Sequence, residues 1–157
     1  MARGVVVAII VVIGVSSAAQ LQAGGPELRC FAGPEGVQSK EDARLSGLVE
    51  ADIQHGLIRV NSDALSRSYF SPTTLDFLYQ RECSRIEMRL ESSAEIGQHR
   101  TADCRALDAL RRHRYSGEPD LANRAARTIE RDFASLPTPD WPGSMGPPRR
   151  VDFASCR

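Results

Sequence analysis

The chain has 157 residues, with 20 Lys and Arg against 20 Asp and Glu, a formal net charge of zero. A balanced charge offers no basic field for nucleic acid and no acidic tail, so a nucleic-acid-binding function is not expected of the chain as a whole. The length suits one domain around one core rather than two, and no internal repeat is present.

The first elements are those of a secretory leader. Arg3 is followed by an apolar run from Gly4 to Val15 and then by Ser16, Ser17, Ala18 and Ala19, the charged, apolar and small-residue order of a signal peptide. The apolar run is ~12 residues long, short of the roughly 20 that span a bilayer, which favours cleavage after Ala19 over a retained anchor. Glu27, Leu28 and Arg29 before Cys30 do not make a lipobox. The expected organisation is therefore a signal peptide over 1–19 and a single domain over 20–157, periplasmic or secreted, with no stable membrane span after cleavage.

All four cysteines, Cys30, Cys83, Cys104 and Cys156, follow the leader. An even number in a chain bound for an oxidising compartment implies two disulfides, for which three connectivities exist. A zinc site on these cysteines is disfavoured because no C-x-x-C knuckle is present.

Next in chain order, Gly47 to Asp52 and Leu57 to Asn61 flank Gln54, His55 and Gly56 and read as a β-hairpin. Ser71 and Pro72 then supply a cap and a first-turn proline for a helix to about Leu90. A second helix fits Ile96 to about Tyr115, ended by Ser116 and Gly117. A third fits Pro119 to about Ser135. Seven Pro and Gly residues from Pro137 to Pro148 then impose a loop over 137–157, tied down if Cys156 is bridged. The fold class is α+β and mainly helical: three long helices packed with a small N-terminal hairpin or sheet, stapled by disulfides.

Helical periodicity puts Leu75, Leu78, Tyr79, Cys83, Ile86 and Leu90 on one face, with Glu82 on the same stripe. On the next helix Ile96, Ala106, Leu107 and Leu110 share a face that includes His99 and Asp103. Two helices thus aim Glu82, His99 and Asp103 inward, where an unpaired charge costs several kcal/mol and must find partners. A structural cluster closed by Arg81 or Arg85 satisfies that demand.

At these residues the chain resembles a known family. Ile58 to Ile86 (IRVNSDALSRSYFSPTTLDFLYQRECSRI) is similar to the segment around the H-E-C-x-H helix of small bacterial secreted zinc metallopeptidase-like proteins of the gluzincin type. In these, an I-x-V-N-P strand and loop lead into F-x-x-A-H-E-C-G-H. His99 to Leu107 (HRTADCRAL) resembles that family's E-x-E-A-D-C helix, and Asp132 to Cys156 (DFASLPTPDWPGSMGPPRRVDFASC) its helix end, proline-rich loop and closing cysteine. Together the matches cover most of the mature chain.

In H-E-x-x-H chemistry two histidines one turn apart bind zinc, the glutamate activates the metal-bound water, and a carboxylate on the next helix completes the ligands. By this resemblance Arg81 and Arg85 stand at the histidine positions, Glu82 at the general-base position, His99 at the third-ligand position, and Asp103 at that of a carboxylate orienting a ligand. A guanidinium has no lone pair for a metal and repels a dication. The resemblance therefore implies a degenerate metallopeptidase in which Arg81, Glu82, Arg85, His99 and Asp103 form a vestigial, salt-bridged site with no catalytic residue, no metal and no cofactor. It also implies bridges between Cys83 and Cys104, across the two site helices, and between Cys30 and Cys156.

Trp141, in the proline-rich loop, is expected to lie as an aromatic lid over the helices. His55 fits a turn and His113 a helix C-terminus, where a cation complements the dipole. Arg111, Arg112 and Arg114 fit a solvated helix end. The functional expectation is a non-catalytic metallopeptidase-like protein with a binding or structural role, an envelope protein being the class of partner the compartment offers. The alternative is a hydrolase with an altered site on Glu82, His99 and Asp103. N-terminal sequencing of mature protein should begin at Gln20; Met1 retained on membrane-bound material would show an anchor instead.

Overall fold

Three short strands precede the long helices in the computed structural model, which describes residues 29–91, 93–137 and 140–156. They are β1 (Gln38–Glu41), β2 (Val49–Asp52) and β3 (Leu57–Val60), in the order β1-β3-β2. β2 and β3 pair antiparallel from Val49↔Val60 to Asp52↔Leu57, around a turn closed by Gly56 at φ 63. This is the hairpin that the alternating sequence implies. β1 adds a parallel strand, Gln38↔Leu57 to Glu41↔Val60, that no apolar alternation marks, since all four of its residues are exposed.

Asn61 then caps a short helix, α1 (Ser62–Ser66), its side chain accepting from Ala64 N at 2.9 Å. Ser71 caps the next, α2 (Pro72–Met88), with Pro72 in the first turn where a missing N–H costs nothing. Arg89 ends it in the left-handed conformation, φ 51, its N–H returning to Arg85 O and Ile86 O. The second long helix, α3 (Ile96–Ala109), continues into a wider turn over Leu110–Arg114, and the third, α4, spans Pro119–Ala134. The α+β architecture and the helix starts are those expected. Ile96 departs from expectation: it is 45% exposed rather than part of the buried face of α3.

Two apolar cores lie on opposite sides of α2. On one side Phe77, Leu107, Leu110, Ile129, Phe133 and Met145 join α2, α3, α4 and the C-terminal segment. On the other, Tyr79, Cys83 and Ile86 pack on Val49, Ala51, Ile58 and Val60 of the sheet. A helix enclosed on all sides is ordinarily apolar all round. Yet the buried residues of α2 include Thr74, Asp76, Gln80, Arg81, Glu82, Ser84 and Arg85, and each must be matched by a partner.

Several of those partners lie outside the regular elements. Gln80 Oε1 accepts from Phe31 N at 2.8 Å and Ala32 N at 3.3 Å, while its Nε2 donates to Arg29 O at 2.7 Å. Ser84 Oγ donates to Ala32 O at 3.1 Å, and Arg114 Nε to Asp76 at 3.1 Å. The 29–32 segment lies so close to α2 that a Cβ on Gly33 would come within 2.5 Å of Cys83 O, so only glycine fits.

The disulfides differ from the pairing the family resemblance implies. Cys30 is bonded to Cys83 and Cys104 to Cys156, with S–S distances of 1.99 and 1.98 Å; neither the Cys83 to Cys104 bridge nor the Cys30 to Cys156 bridge exists. Successive helical residues are about 100° apart, so Cys83 need not share a face with Glu82. It turns to the sheet and the 29–33 segment, whereas Cys104, beside Asp103, turns to the C-terminal segment. Each loop closure, over separations of 53 and 52 residues, contributes about 4 kcal/mol in the chain-entropy treatment.

The remaining aromatic and basic residues fall into place around these elements. Trp141 packs on Phe133 of α4, centroids 5.3 Å apart, and donates to Gly146 O at 2.9 Å. His55 sits in the hairpin turn against Asp52 at 2.8 Å, and His113 stacks on Phe31 at 4.8 Å. The leader over 1–19 lies outside the described residues.

Asp132 joins α4 to the start of α2, accepting from Ser71 N at 3.0 Å and Thr74 Oγ1 at 2.7 Å. Burial by itself raises its pKa, but the hydrogen bonds from Ser71 and Thr74 prevail and hold it below the ordinary value. A depressed folded pKa gives stability that is present above the unfolded value and lost as pH falls through the folded one. Asp132→Asn should therefore lower stability by about 1 kcal/mol at neutral pH. In thermal melts the gap from wild type should close as the pH drops below about 4. A gap independent of pH would exclude the carboxylate charge as its source.

Candidate functional site

Arg81 and Glu82, adjacent on α2, are both fully buried. Arg81 Nη1 donates to Glu82 Oε1 at 2.9 Å, and Arg85 Nη1 to Glu82 Oε2 at 2.6 Å. Helical spacing makes the second bond possible, since residues three apart are neighbours on the helix surface. A third donor comes from the sheet. β2 is an edge strand, and the N–H of Ala51 on its unpaired side reaches Glu82 Oε2 at 2.9 Å. The carboxylate that joins α2 to the sheet thus also covers part of an open strand edge.

From Arg81 the network crosses to α3. Its Nε donates to Asp103 Oδ1 at 2.7 Å, and Nη2 lies 2.9 Å from His99 Nδ1. A guanidinium has hydrogens and no lone pair to offer, so Nδ1 must be the acceptor and the ring is oriented by the arginine. Nη1 also donates to Ser144 O at 2.8 Å. The side chains expected from the sequence, Arg81, Glu82, Arg85, His99 and Asp103, are therefore gathered around Arg81. Arg85 stays on the α2 side, where its Nε donates to Leu90 O at 3.1 Å.

Three contributors carry no periodic signal in the sequence. The backbone of Ala51 is one and the carbonyl of Ser144 is another. The third is Arg149, whose Nη2 bonds Asp103 Oδ2 and whose Nη1 donates to Met145 O at 2.6 Å. Burial lowers the pKa of Arg149 from its ordinary value, Asp103 acts against that shift, and Arg81 and Arg100 add to it. Three guanidiniums thus meet the two carboxylates of Glu82 and Asp103. Gly146 packs over His99: a Cβ there would lie 2.6 Å from the imidazole, at a backbone φ of 74.

The arrangement fixes charge in place rather than leaving it available. Proton abstraction requires a lone pair within reach of a substrate or a water, and the oxygens of Glu82 accept three bonds from protein donors. Among the described residues no three His, Cys, Asp or Glu side chains are placed together to hold a metal ion. Comparison with protein-family models, curated proteins and solved structures gives no match to this chain.

Removal of one member of a buried ion pair strands the other and costs about 3 to 5 kcal/mol. Glu82→Ala leaves Arg81 and Arg85 each short of a partner and Ala51 N without an acceptor, so denaturant unfolding should show a loss of that size. Unchanged or raised stability would mean that the carboxylate is not the anchor of the cluster.

Proposed function

We propose that this chain is a non-catalytic protein of the periplasm or the extracellular space, a metallopeptidase-like scaffold with a binding or structural role. The observation that carries this reading is the engagement of both oxygens of Glu82 by Arg81, Arg85 and Ala51 N. At the positions where the resemblance calls for zinc-binding histidines, Arg81 and Arg85 supply donors only. The centre is in this view a polar clasp that holds α2, α3, the sheet and the C-terminal segment together.

Covalent chemistry supports the choice of compartment. Two disulfides and no free cysteine among the described residues suit an oxidising environment. Among the described residues no helix is long and apolar enough to cross a membrane. The partner belongs, on this reading, to the envelope or its surroundings.

Metal analysis of purified protein together with a general protease assay tests the proposal. The expected result is less than stoichiometric zinc and no peptide hydrolysis above that of Glu82→Gln. Stoichiometric zinc with hydrolysis abolished by Glu82→Gln would establish instead a hydrolase with an altered site on Glu82, His99 and Asp103. That chemistry requires Arg81 to release Glu82, Asp103 and His99 together.

A further inference from the structure

In a chain of zero net charge, one cleft is strongly cationic. It lies between α4 and the C-terminal segment, has a volume of about 580 Å³, and is lined by Arg127, Arg131, Arg149, Arg150, Glu130 and Trp141 among others. Four arginines and one glutamate line it, and two of the arginines, Arg149 and Arg131, have carboxylate partners outside the lining, Asp103 and Asp132. The acidic side chains of α4 nearby are held by neutral donors of their own. Glu130 Oε1 accepts from Phe153 N at 2.8 Å, and Asp132 is engaged by Ser71 and Thr74.

Two of the four arginines are uncommitted. Arg127, Arg131 and Arg150 are exposed. Arg127 and Arg150 have no ion-pair partner among the described residues, and Arg131 reaches only Asp132, at 3.3 Å. Arg127 and Arg131, one turn apart on α4, repel each other, which disfavours the helix slightly. Arg149 adds a second kind of observation. Its side chain is 5% exposed, yet its Nε has no hydrogen-bond partner among the described residues. Its guanidinium carbon lies 6.0 Å from the centre of the Trp141 ring, whose only N–H is already given to Gly146 O.

We propose that this cleft binds a phosphate-bearing ligand, with Arg127, Arg131 and Arg150 gripping its oxygens at the mouth and Arg149 receiving it at the inner wall. Several converging guanidiniums match the several oxygens of a phosphate, and two of them, Arg127 and Arg150, carry charge that no ion pair among the described residues offsets. Trp141 forms an apolar side against which the remainder of the ligand lies. The site stands apart from the question of whether Glu82 is catalytically inert, because none of its groups except Arg149 touches the buried cluster. Through Arg149 and Asp103, occupancy would tighten the hold of the C-terminal segment on α3.

Calorimetric titration of the full mature chain with inorganic pyrophosphate, and cosedimentation with phosphatidylcholine vesicles with and without phosphatidylglycerol, test the proposal. The expected result is saturable binding in at least one arm, with pyrophosphate alone pointing to a soluble phosphate and phosphatidylglycerol vesicles alone to a lipid headgroup. Affinity should fall about tenfold for each of Arg127→Gln and Arg131→Gln. Both positions are exposed, so folding of the variants is checked by an unchanged melt. Arg44→Gln and Arg112→Gln, made singly, each remove an equal charge elsewhere and should leave affinity unchanged. No binding in either arm, binding indifferent to Arg127 and Arg131, or equal weakening by the Arg44 and Arg112 changes would overturn the proposal.

Discussion

A polar helix at the centre of the molecule is the constraint on which the other contacts depend. α2 is enclosed by two apolar cores, and the donors and acceptors along it must be satisfied without water because a buried polar group left alone costs several kcal/mol. Each such residue therefore recruits a particular neighbour. Gln80 and Ser84 fix the 29–32 segment, Asp76 fixes the end of the α3 extension, Thr74 fixes α4, and Glu82 fixes the edge of the sheet. An apolar helix of the same shape would gain as much from burial, but it would select its neighbours less sharply. Here the irregular segments are placed by hydrogen-bond geometry.

Arg81 concentrates that logic in one side chain. Its planar fork reaches Glu82 on its own helix, Asp103 and His99 on α3, and Ser144 in the C-terminal segment. A lysine at this position offers a single point charge and could not span four directions. The consequence for chemistry is that basicity and charge at the centre are consumed by the fold, whereas Arg127 and Arg150, with no ion pair among the described residues, lie outside it.

Much of this frame is legible in the sequence. Ser71 and Pro72 announce the start of α2, Gly56 the turn of the hairpin, and the alternation on either side of it the strands themselves. The stripe that includes Glu82, and the inward setting of His99 and Asp103, follow from periodicity alone, and their burial is what the structure shows. What escaped reading has physical reasons. β1 is four exposed polar residues paired through backbone alone, which leaves no side-chain signature. Arg149 lies 46 residues from Asp103 in a segment without periodicity, so nothing local announces their contact. The disulfide pairing depends on a rotation of about 100° between neighbouring helical residues, and an alignment by family pattern passed over it.

That pairing has a bearing on how the chain matures. In order of appearance, the first cysteine is bonded to the second and the third to the fourth, so the two covalent loops follow one another without nesting or overlap. A chain delivered amino end first can close the loop from Cys30 to Cys83 before Cys104 has emerged. Thiolates that pair with the nearest earlier cysteine reach the native connectivity directly, with no mixed pairing to be undone by exchange. For a chain exported amino end first, as proposed above, oxidation can keep pace with export, and only the closing of the second loop waits for the carboxyl end, which sets Arg149 beside Asp103.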